Sequence, residues 1–243
     1  MIVSEMTVRE VALQLPQSTR LFEKLKIDYC CGGNRPLTEA CTAAGLNVDD
    51  LVAMLNVAIQ PDAINKSDVD FPNLSLSELI DHVVETHHVF TKSEMDRLEA
   101  LTEKVVGAHG ANHPELLNVR EVFQHLCADL RPHMFKEEQV LFPYITAMER
   151  AEVDNTAAPF APFGTVNNPI RMMMMEHDTA GDLLRELRAL TSDYKVPADG
   201  CVSYQTLYQA MEGLEADLHQ HIHLENNILF PKASQTEARC QLK

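Results

Sequence analysis

Residues 128–143 read ADLRPHMFKEEQVLFP, and residues 216–231 read ADLHQHIHLENNILFP. The two stretches begin 88 positions apart and are identical at eight of their sixteen positions. Each carries a His and a Glu four residues apart, followed by Leu-Phe-Pro. Because side chains at i and i+4 lie on one face of an α-helix, each stretch predicts a helix that presents its His and Glu side by side. The duplication therefore predicts two equivalent helices that contribute to one site.

The composition of the 243-residue chain favours an all-α fold. It has nine Gly and no Trp, and it contains no strand-like alternation of Val, Ile and Thr. Its apolar fraction of 45% is ordinary for a globular protein, and no apolar run approaches the roughly 18 residues of a membrane span. The net charge of −16 disfavours binding to nucleic acids and to anionic membranes. The N-terminus lacks the apolar segment of a signal peptide, so we expect a cytoplasmic protein.

Two domains and a linker are predicted along the chain. Residues 1–58 read as several short helices, and Thr7 and Glu10 form a capping-box pattern before the first of them. Residues 59–73 combine Pro, Asp and Asn without periodicity, which is typical of a linker. Residues 74–235 hold four long amphipathic segments, the pattern of a four-helix bundle. These segments are 75–106, 115–148, 169–192 and 203–229.

Helical periodicity identifies the polar side chains that face the interior of the predicted bundle. In the fourth segment, His221 and Glu225 fall on a stripe that otherwise consists of Leu, Met and Ile. His133 and Glu137 interrupt an equivalent stripe in the second segment, and His177 does so in the third. Three helices therefore direct a His, or a His with a Glu, toward the bundle interior.

The spacing of the repeat predicts the contribution of the first segment. His177 and His221 are 44 residues apart, and stepping back 45 residues from His133 leads to His88. Periodicity alone does not distinguish His88 from its neighbour His87, because each of them fits an apolar stripe. The repeat favours His88.

The combination of these side chains is typical of a metal site. A single buried His is most often an ordinary core residue, but a buried carboxylate costs several kcal/mol unless it is paired or bound to metal. No Lys or Arg lies on these stripes to pair with Glu137 or Glu225. Four imidazoles and two carboxylates suit Fe, Mn, Co or Zn, and their two-fold repetition favours two ions.

The balance of buried charge favours iron over zinc. Two carboxylates leave a pair of ferrous ions with a net charge of about +2, and a pair of ferric ions with an added oxide also carries about +2. Redox cycling would then change little buried charge, whereas zinc has no redox chemistry.

Several neighbouring residues have two interpretations. Asp129 and Asp217 each lie one helical turn before the His of the repeated motif, so they either orient that imidazole or are solvated acids. Glu138 is replaced by Asn226 in the second copy of the motif, and we interpret Glu138 as a surface residue.

Together these motifs resemble a known family. The residues His88, His133-x-x-x-Glu137, His177 and His221-x-x-x-Glu225 resemble the hemerythrin-like His/Glu bundle. The stretch DYCCGG at residues 28–33, with its short helices, resembles the ScdA-type N-terminal domain. In this order, both resemble the repair of iron centres (RIC) proteins over nearly the whole chain. The resemblance implies a small N-terminal helical domain, a hemerythrin-like four-helix bundle and a non-haem di-iron centre with an oxo or hydroxo bridge, in which the four His are terminal ligands and the two Glu bridge.

The resemblance also implies a function. It implies repair of iron–sulfur clusters damaged by nitric oxide or oxidative stress, by supplying iron, with the damaged iron–sulfur proteins as clients and a homodimer as the assembly. The alternative is a hemerythrin-like protein or sensor that binds oxygen or nitric oxide, and a third interpretation is an enzyme that reduces nitric oxide at the two irons. Four His rather than five, and the Cys-bearing N-terminal domain, favour repair over a simple carrier.

Cys30 and Cys31 are the predicted reactive residues of the N-terminal domain. Adjacent thiols beside two Gly are expected to be exposed and suited to redox exchange or iron hand-off. In the other interpretation, the Gly residues only make a turn and the thiols pack. Adjacent Cys residues form a disulfide only with strain. The remaining cysteines, interpreted as structural or incidental, are Cys41, Cys127, Cys201 and Cys240.

Overall fold

The computed structural model describes residues 2–58 and 69–241. Within these residues the chain is helical, and the only β-type pairing is an isolated bridge between Thr7 and Pro36. The all-α prediction is confirmed. Most of the predicted linker, residues 59–68, lies outside the described residues, so the domain boundaries at 58 and 74 stay predictions. Over the same described ranges, no helix combines the length and apolar character that a membrane span requires.

Four short helices form the N-terminal part of the protein. They are α1 (Val8–Gln14), α2 (Ser18–Lys24), α3 (Leu37–Ala44) and α4 (Val48–Ala58). The predicted capping box is confirmed, because the Glu10 amide donates to Thr7 Oγ1 at 3.1 Å and the Thr7 amide donates to Glu10 Oε2 at 2.8 Å. Gly45 ends α3 with a φ of 69°, a left-handed conformation that favours glycine. A separate hydrophobic core lies among these helices and includes Val8, Phe22, Leu37 and Leu55.

The second part of the described chain forms four long rods, in the order of the four predicted segments. Rod 1 follows a short 3₁₀ turn (Phe71–Asn73) and consists of α5 (Leu76–His82), the π-helical segment π1 (Val83–His88) and α6 (Val89–His109). Rod 2 consists of α7 (Glu115–Lys136), π2 (Glu137–Leu141) and α8 (Phe142–Val153). Rod 3 is α9 (Asn167–Leu190). Rod 4 consists of α10 (Val202–Leu224), π3 (Glu225–Leu229) and α11 (Phe230–Gln241), and it continues through α11 beyond the predicted end at 229.

The π-helical segments of rods 2 and 4 lie inside the repeated motif. Segment π2 begins at Glu137 and π3 begins at Glu225, and the Phe-Pro of the motif follows each segment. A proline has no N–H, and its ring collides with the carbonyl four residues earlier, so a regular α-helix does not continue undisturbed through it. A wider π turn before the proline accommodates this conflict, and such turns are frequent at functional sites. In both copies the irregular turn thus begins at the Glu, four residues after the His.

The proline of the second copy also frees a backbone oxygen that binds the N-terminal helices. Pro231 cannot donate to the carbonyl of Asn227, four residues earlier. Arg9 Nη2 in α1 donates a hydrogen bond to this oxygen at 3.1 Å. Nearby on rod 4, His219 Nδ1 lies 3.0 Å from Glu23 Oε2 in α2. The N-terminal helices therefore pack against the second copy of the motif.

Two hydrophobic cores fill the bundle, and the polar residues of the motif lie between them on every rod. Proceeding along each rod, the residues of one core give way to those of the other at the level of the inward-facing His and Glu. The His and Glu side chains of the four rods are thereby confined to one layer. We call one of them core A, which includes Met95, Leu130, Ala180 and Leu218, and the other core B, which includes Val83, Leu141, Met173 and Ile228.

Replacing Arg9 by Met is expected to weaken the contact between α1 and rod 4. The variant keeps most of the aliphatic side chain but leaves the Asn227 carbonyl without its donor, so the free energy of unfolding should fall by about 1–2 kcal/mol. Chemical denaturation of variant and wild type measures this. The control is Arg97→Met, which removes an exposed pair with Glu94 and should change stability by less than about 0.5 kcal/mol. Equal effects of the two changes would contradict the role of Arg9 in this contact.

Candidate metal centre

Six buried side chains from all four rods converge between core A and core B. None of them exposes more than 2% of its surface. Rods 2 and 4 each contribute a His and a Glu, and rods 1 and 3 each contribute one His. The structure thus brings together the six residues predicted from the sequence, namely His88, His133, Glu137, His177, His221 and Glu225.

The side chains form two groups that share both carboxylates. His88 and His221 form one group with the two Glu, and His133 and His177 form the other; within each group the available ligand atoms lie within 4.8 Å of one another. The two Nε2 atoms are 3.2 Å apart in the first group and 3.1 Å apart in the second.

Each carboxylate lies between the two groups. Glu137 Oε2 is 3.4 Å from Nε2 of both His88 and His133. Glu225 is likewise 3.1 Å from one imidazole of each group, through Oε2 to His177 and through Oε1 to His221. Both Glu are therefore positioned to share two neighbouring cations.

The hydrogen bonds of the imidazoles direct lone pairs into the layer. In three of the four rings, Nδ1 contacts an oxygen that accepts, so Nδ1 carries the proton and Nε2 carries the lone pair. The three pairs are His88 with Glu138 at 2.7 Å, His133 with Glu176 at 2.8 Å and His177 with Asn226 at 2.9 Å.

These lone pairs require a positive charge between them. Two nitrogen lone pairs at 3.1 Å repel each other unless a proton or a metal ion lies between the atoms. Neither oxygen of Glu137 or of Glu225 has a hydrogen-bond partner within the described residues, although both carboxylates are fully buried. Buried oxygens without donors and converging lone pairs together match the needs of metal cations, and a donor set of nitrogen and oxygen without sulfur suits non-haem iron, manganese or zinc.

The acid–base properties of the layer lead to the same conclusion. Burial and the charge of Glu225 raise the pKa of Glu137 to about 7. Burial also acts on Glu225, but the nearby His221 and His177 hold its pKa well below the usual value. Burial opposes the charged form of His177, yet Glu225 and Glu137 outweigh it and raise the pKa of His177 to about 9. Without metal, the layer must hold protons, which a bound cation displaces.

Comparison with known proteins agrees with this geometry. The profile of the Hemerythrin HHE cation binding domain matches residues 79–233, and ScdA_N, a domain of unknown function (DUF542), matches residues 4–59. A probable iron–sulfur cluster repair protein of Haemophilus influenzae is 34% identical over 232 residues, which cover 96% of this chain and 98% of that protein. Iron–sulfur cluster repair protein ScdA of Staphylococcus haemolyticus is 30% identical, with 96% and 100% covered, and iron–sulfur cluster repair protein YtfE of Dickeya chrysanthemi is 32% identical, with 96% and 98% covered. The chain belongs to the iron–sulfur cluster repair family.

In this member of the repair family, two further positions of the repeated motif contact the imidazole of the preceding rod, one by a hydrogen bond and one by ring stacking. The residue after each Glu, Glu138 or Asn226, accepts from His88 or His177, respectively. The interpretation of Glu138 as a surface residue is wrong, because Glu138 connects a buried imidazole to Lys92 Nζ at 2.6 Å. The signal that could have identified it is the polar residue directly after Glu in both copies. The motif Phe residues stack on the same two rings, Phe142 on His88 at 5.8 Å between centroids and Phe230 on His177 at 6.1 Å.

Glu176 is a partner that no pattern in the sequence selects. It precedes His177 on rod 3, and it binds Nδ1 of His133 on rod 2 and the ammonium group of Lys136. Burial tends to raise the pKa of Glu176, but Lys136 and His133 lower it overall, so the carboxylate stays ionised at neutral pH. An ionised acceptor keeps the proton of His133 on Nδ1 and its lone pair directed at the layer.

The two aspartates do not orient the motif imidazoles. Asp129 is exposed, which matches the solvated interpretation. Asp217 Oδ1 is 3.0 Å from Nδ1 of His87, and the His87 ring stacks on the His221 ring at 5.7 Å between centroids. Nδ1 of His221 has no hydrogen-bond partner among the described residues. Therefore His87 lies outside both ligand groups, and His88 is the rod 1 residue within them.

The vicinal cysteines pack against rod 3 beside the layer. Their Sγ atoms are 3.9 Å apart and both thiols are free, and Cys31 Sγ is 3.8 Å from the carbonyl oxygen of His177. The expectation that both thiols are exposed is wrong for Cys30, which exposes 7% of its surface. The hydrogen bond to Cys31, burial and Asp28 together raise the pKa of Cys30 well above its usual value. Half-buried Cys31 is therefore the more accessible thiol of the pair.

Neighbouring histidines allow a direct test of the assignment. Replacing His88 by Gln removes one Nε2 from the layer, and cation affinity should fall by more than the roughly 10- to 100-fold typical of losing an outer hydrogen-bond partner. Replacing His87 by Gln should leave the metal content unchanged, because His87 contacts Asp217 outside the layer. Metal per chain after dialysis against a chelator measures both. Full metal retention by His88→Gln, or equal losses in the two variants, would contradict the placement of His88 within the layer and of His87 outside it.

Proposed function

We propose that this chain is a di-iron protein that restores iron–sulfur clusters damaged by nitric oxide or oxidative stress. The observation that carries the proposal is the buried layer in which two carboxylates without hydrogen-bond donors lie between two pairs of imidazoles. The cation binding domain profile supports a metal site, and the names of the relatives support a repair role. The proposed ligands are His88, His133, Glu137, His177, His221 and Glu225, with the two Glu as bridges.

Iron fits this layer better than zinc. Six ligand side chains exceed the needs of one tetrahedral zinc, and the two groups provide for two ions. Iron bound there would supply one-electron redox chemistry and leave positions for an exogenous ligand and an oxo or hydroxo bridge. The charge of the layer changes little between the two oxidation states if such a bridge accompanies the ferric pair, so a buried site can support both.

The surrounding side chains would keep the ligands ready for metal. Ionised Glu138 and Glu176 hold Nδ1 protons in place, and each is paired with a lysine at the surface. Cores A and B on either side exclude water from the layer, which strengthens every interaction between ligand and cation. These features describe a site that is prepared for binding before the metal arrives.

We extend the proposal to Cys30 and Cys31 as the reactive residues of the N-terminal domain. Cys31 contacts the backbone of a proposed ligand, so a thiol is placed where iron or a small oxidant could pass between the layer and a client. The clients are damaged iron–sulfur proteins in the cytoplasm, and a homodimer is the proposed assembly. A protein that only carries oxygen or senses nitric oxide would have the same layer but no need for this thiol pair.

Removing both carboxylates should abolish the metal site and the repair activity together. Purified wild type is expected to hold about two irons per chain, with near-ultraviolet absorption from an oxo bridge, and to reactivate an iron–sulfur protein inactivated by nitric oxide. The double variant Glu137→Ala with Glu225→Ala should lose the iron, the absorption and the reactivation. Metal analysis, absorption spectra and recovery of client activity are the measurements.

The control is Glu212→Ala, an exposed carboxylate on rod 4 outside the layer. It should behave like wild type in all three measurements. Zinc as the native metal, or full iron loading of the double variant, would overturn the di-iron proposal. Iron loading with reversible oxygen binding but without reactivation of the client would instead support the carrier or sensor.

A further inference from the structure

A second cluster of reactive side chains lies at the end of the bundle remote from the metal layer. His109 is the last residue of α6, and Cys201 directly precedes the first residue of α10. His109 Nε2 lies 3.1 Å from Cys201 Sγ. The 21 residues of α6 separate this pair from His88 by about 31 Å at the α-helical rise. The pair is thus independent of the proposed iron ligands.

Neighbouring groups hold the imidazole of His109 in place. Its ring packs edge-on against the Tyr204 ring at 5.3 Å between centroids, and the His113 ring packs edge-on against the same Tyr204 ring at 5.7 Å. His113 is itself fixed, with Nδ1 3.1 Å from Glu115 and Nε2 3.0 Å from Asp199. Apart from His109, the titratable groups around the thiol are therefore a His, a Tyr and two carboxylates.

The surroundings of Cys201 stabilise its thiolate. The interaction with His109 and the backbone amides of Tyr204 and Ser203 lower the pKa of Cys201 to about 7. The amides belong to the first turn of a 23-residue helix, where negative charge is favoured. Cysteine thiolates next to an imidazole at a helix N-terminus are the reactive form of the residue.

Cys201 also differs from the other five cysteines in access. Cys201 is exposed, whereas Cys31 is half-buried and the other four are buried, namely Cys30, Cys41, Cys127 and Cys240. An exposed thiol does not fill a core, so of the two interpretations of Cys201, structural or incidental, the structural one does not apply. A metal site at this end is not supported either, because within residues 2–58 and 69–241 the only compact groups of three or more metal-binding side chains are the two in the layer.

We infer that Cys201 and His109 form a modification site at which Cys201 exchanges with low-molecular-weight disulfides. The proton of the thiol passes to His109 Nε2, and the thiolate attacks one sulfur of the disulfide. A bond forms between Cys201 Sγ and that sulfur, the original S–S bond breaks, and the other half leaves as a thiolate with the electron pair. The exchange needs no further oxidant, and a second thiol reverses it.

The experiment uses the iron-loaded protein with oxidised glutathione as the probe. Peptide mass spectrometry after alkylation should locate the mixed disulfide on Cys201. A chromogenic disulfide then gives the rate between about pH 5 and 10, and the Cys201→Ser variant identifies the contribution of this residue. The expected midpoint in wild type is about pH 7. In His109→Gln the midpoint should move toward about 8.5, the usual value for cysteine, and the rate at pH 7 should fall about three-fold, since the more basic thiolate is a better nucleophile.

The matched control is His113→Gln, which removes an imidazole from the same cluster but not the one that contacts the thiol. The midpoint of His113→Gln should stay at about pH 7. Measurements of helix content and iron content check that both variants are folded. A mixed disulfide on another cysteine, or a wild-type midpoint near about 8.5, would overturn the inference. An unchanged midpoint in His109→Gln would also overturn the inference. The mass-spectrometric location of the adduct uses wild type alone, so it does not depend on the folding of any variant.

Discussion

The bundle is organised around a buried layer of imidazoles and carboxylates that needs protons or metal cations between its side chains. The Nε2 atoms of His133 and His177, whose Nδ1 atoms both contact acceptors, face each other at 3.1 Å, and the oxygens of two fully buried carboxylates lack donors among the described residues. A layer of this kind is unfavourable in an apolar interior unless cations occupy it. The hydrophobic cores above and below hold the rods in place although the layer itself lowers the free energy of unfolding. Metal binding is expected to raise that free energy again.

The sequence repeat explains how one short motif can build most of this layer. In each copy, the His and Glu face the bundle interior, while the residue after Glu and the Phe of Leu-Phe-Pro contact the His of the preceding rod. The two halves also differ at the residue that precedes the single His of rod 1 or rod 3. Glu176 precedes its His and binds the imidazole of His133, whereas His87, in the equivalent place, stacks on His221 and is itself bound to Asp217. The two imidazole pairs are therefore not supported in the same way.

The helices and the inward-facing ligands could be predicted because they depend on local periodicity. The stripes of rods 2, 3 and 4 identify His133, His177 and His221 directly, and the repeat distance selects His88 where periodicity left His87 open. The outer partners could not be found in this way, because Nδ1 of His88, His133 and His177 contacts a residue of a neighbouring rod rather than of its own. Of the two interpretations of the Asp one turn earlier, orientation of the motif imidazole does not apply to Asp217, which contacts His87 instead. The close contact of Cys201 with His109 joins positions 92 residues apart and has no local signal at all.

Diffraction from crystals of the iron-loaded protein at the iron absorption edge would locate the metal without any assumption about its ligands. The di-iron proposal predicts two anomalous peaks in the layer, one beside His88 and His221 and the other beside His133 and His177, with both carboxylates adjacent to each peak. A single peak, or peaks that lie away from these six side chains, would contradict a di-iron centre shared by the four rods.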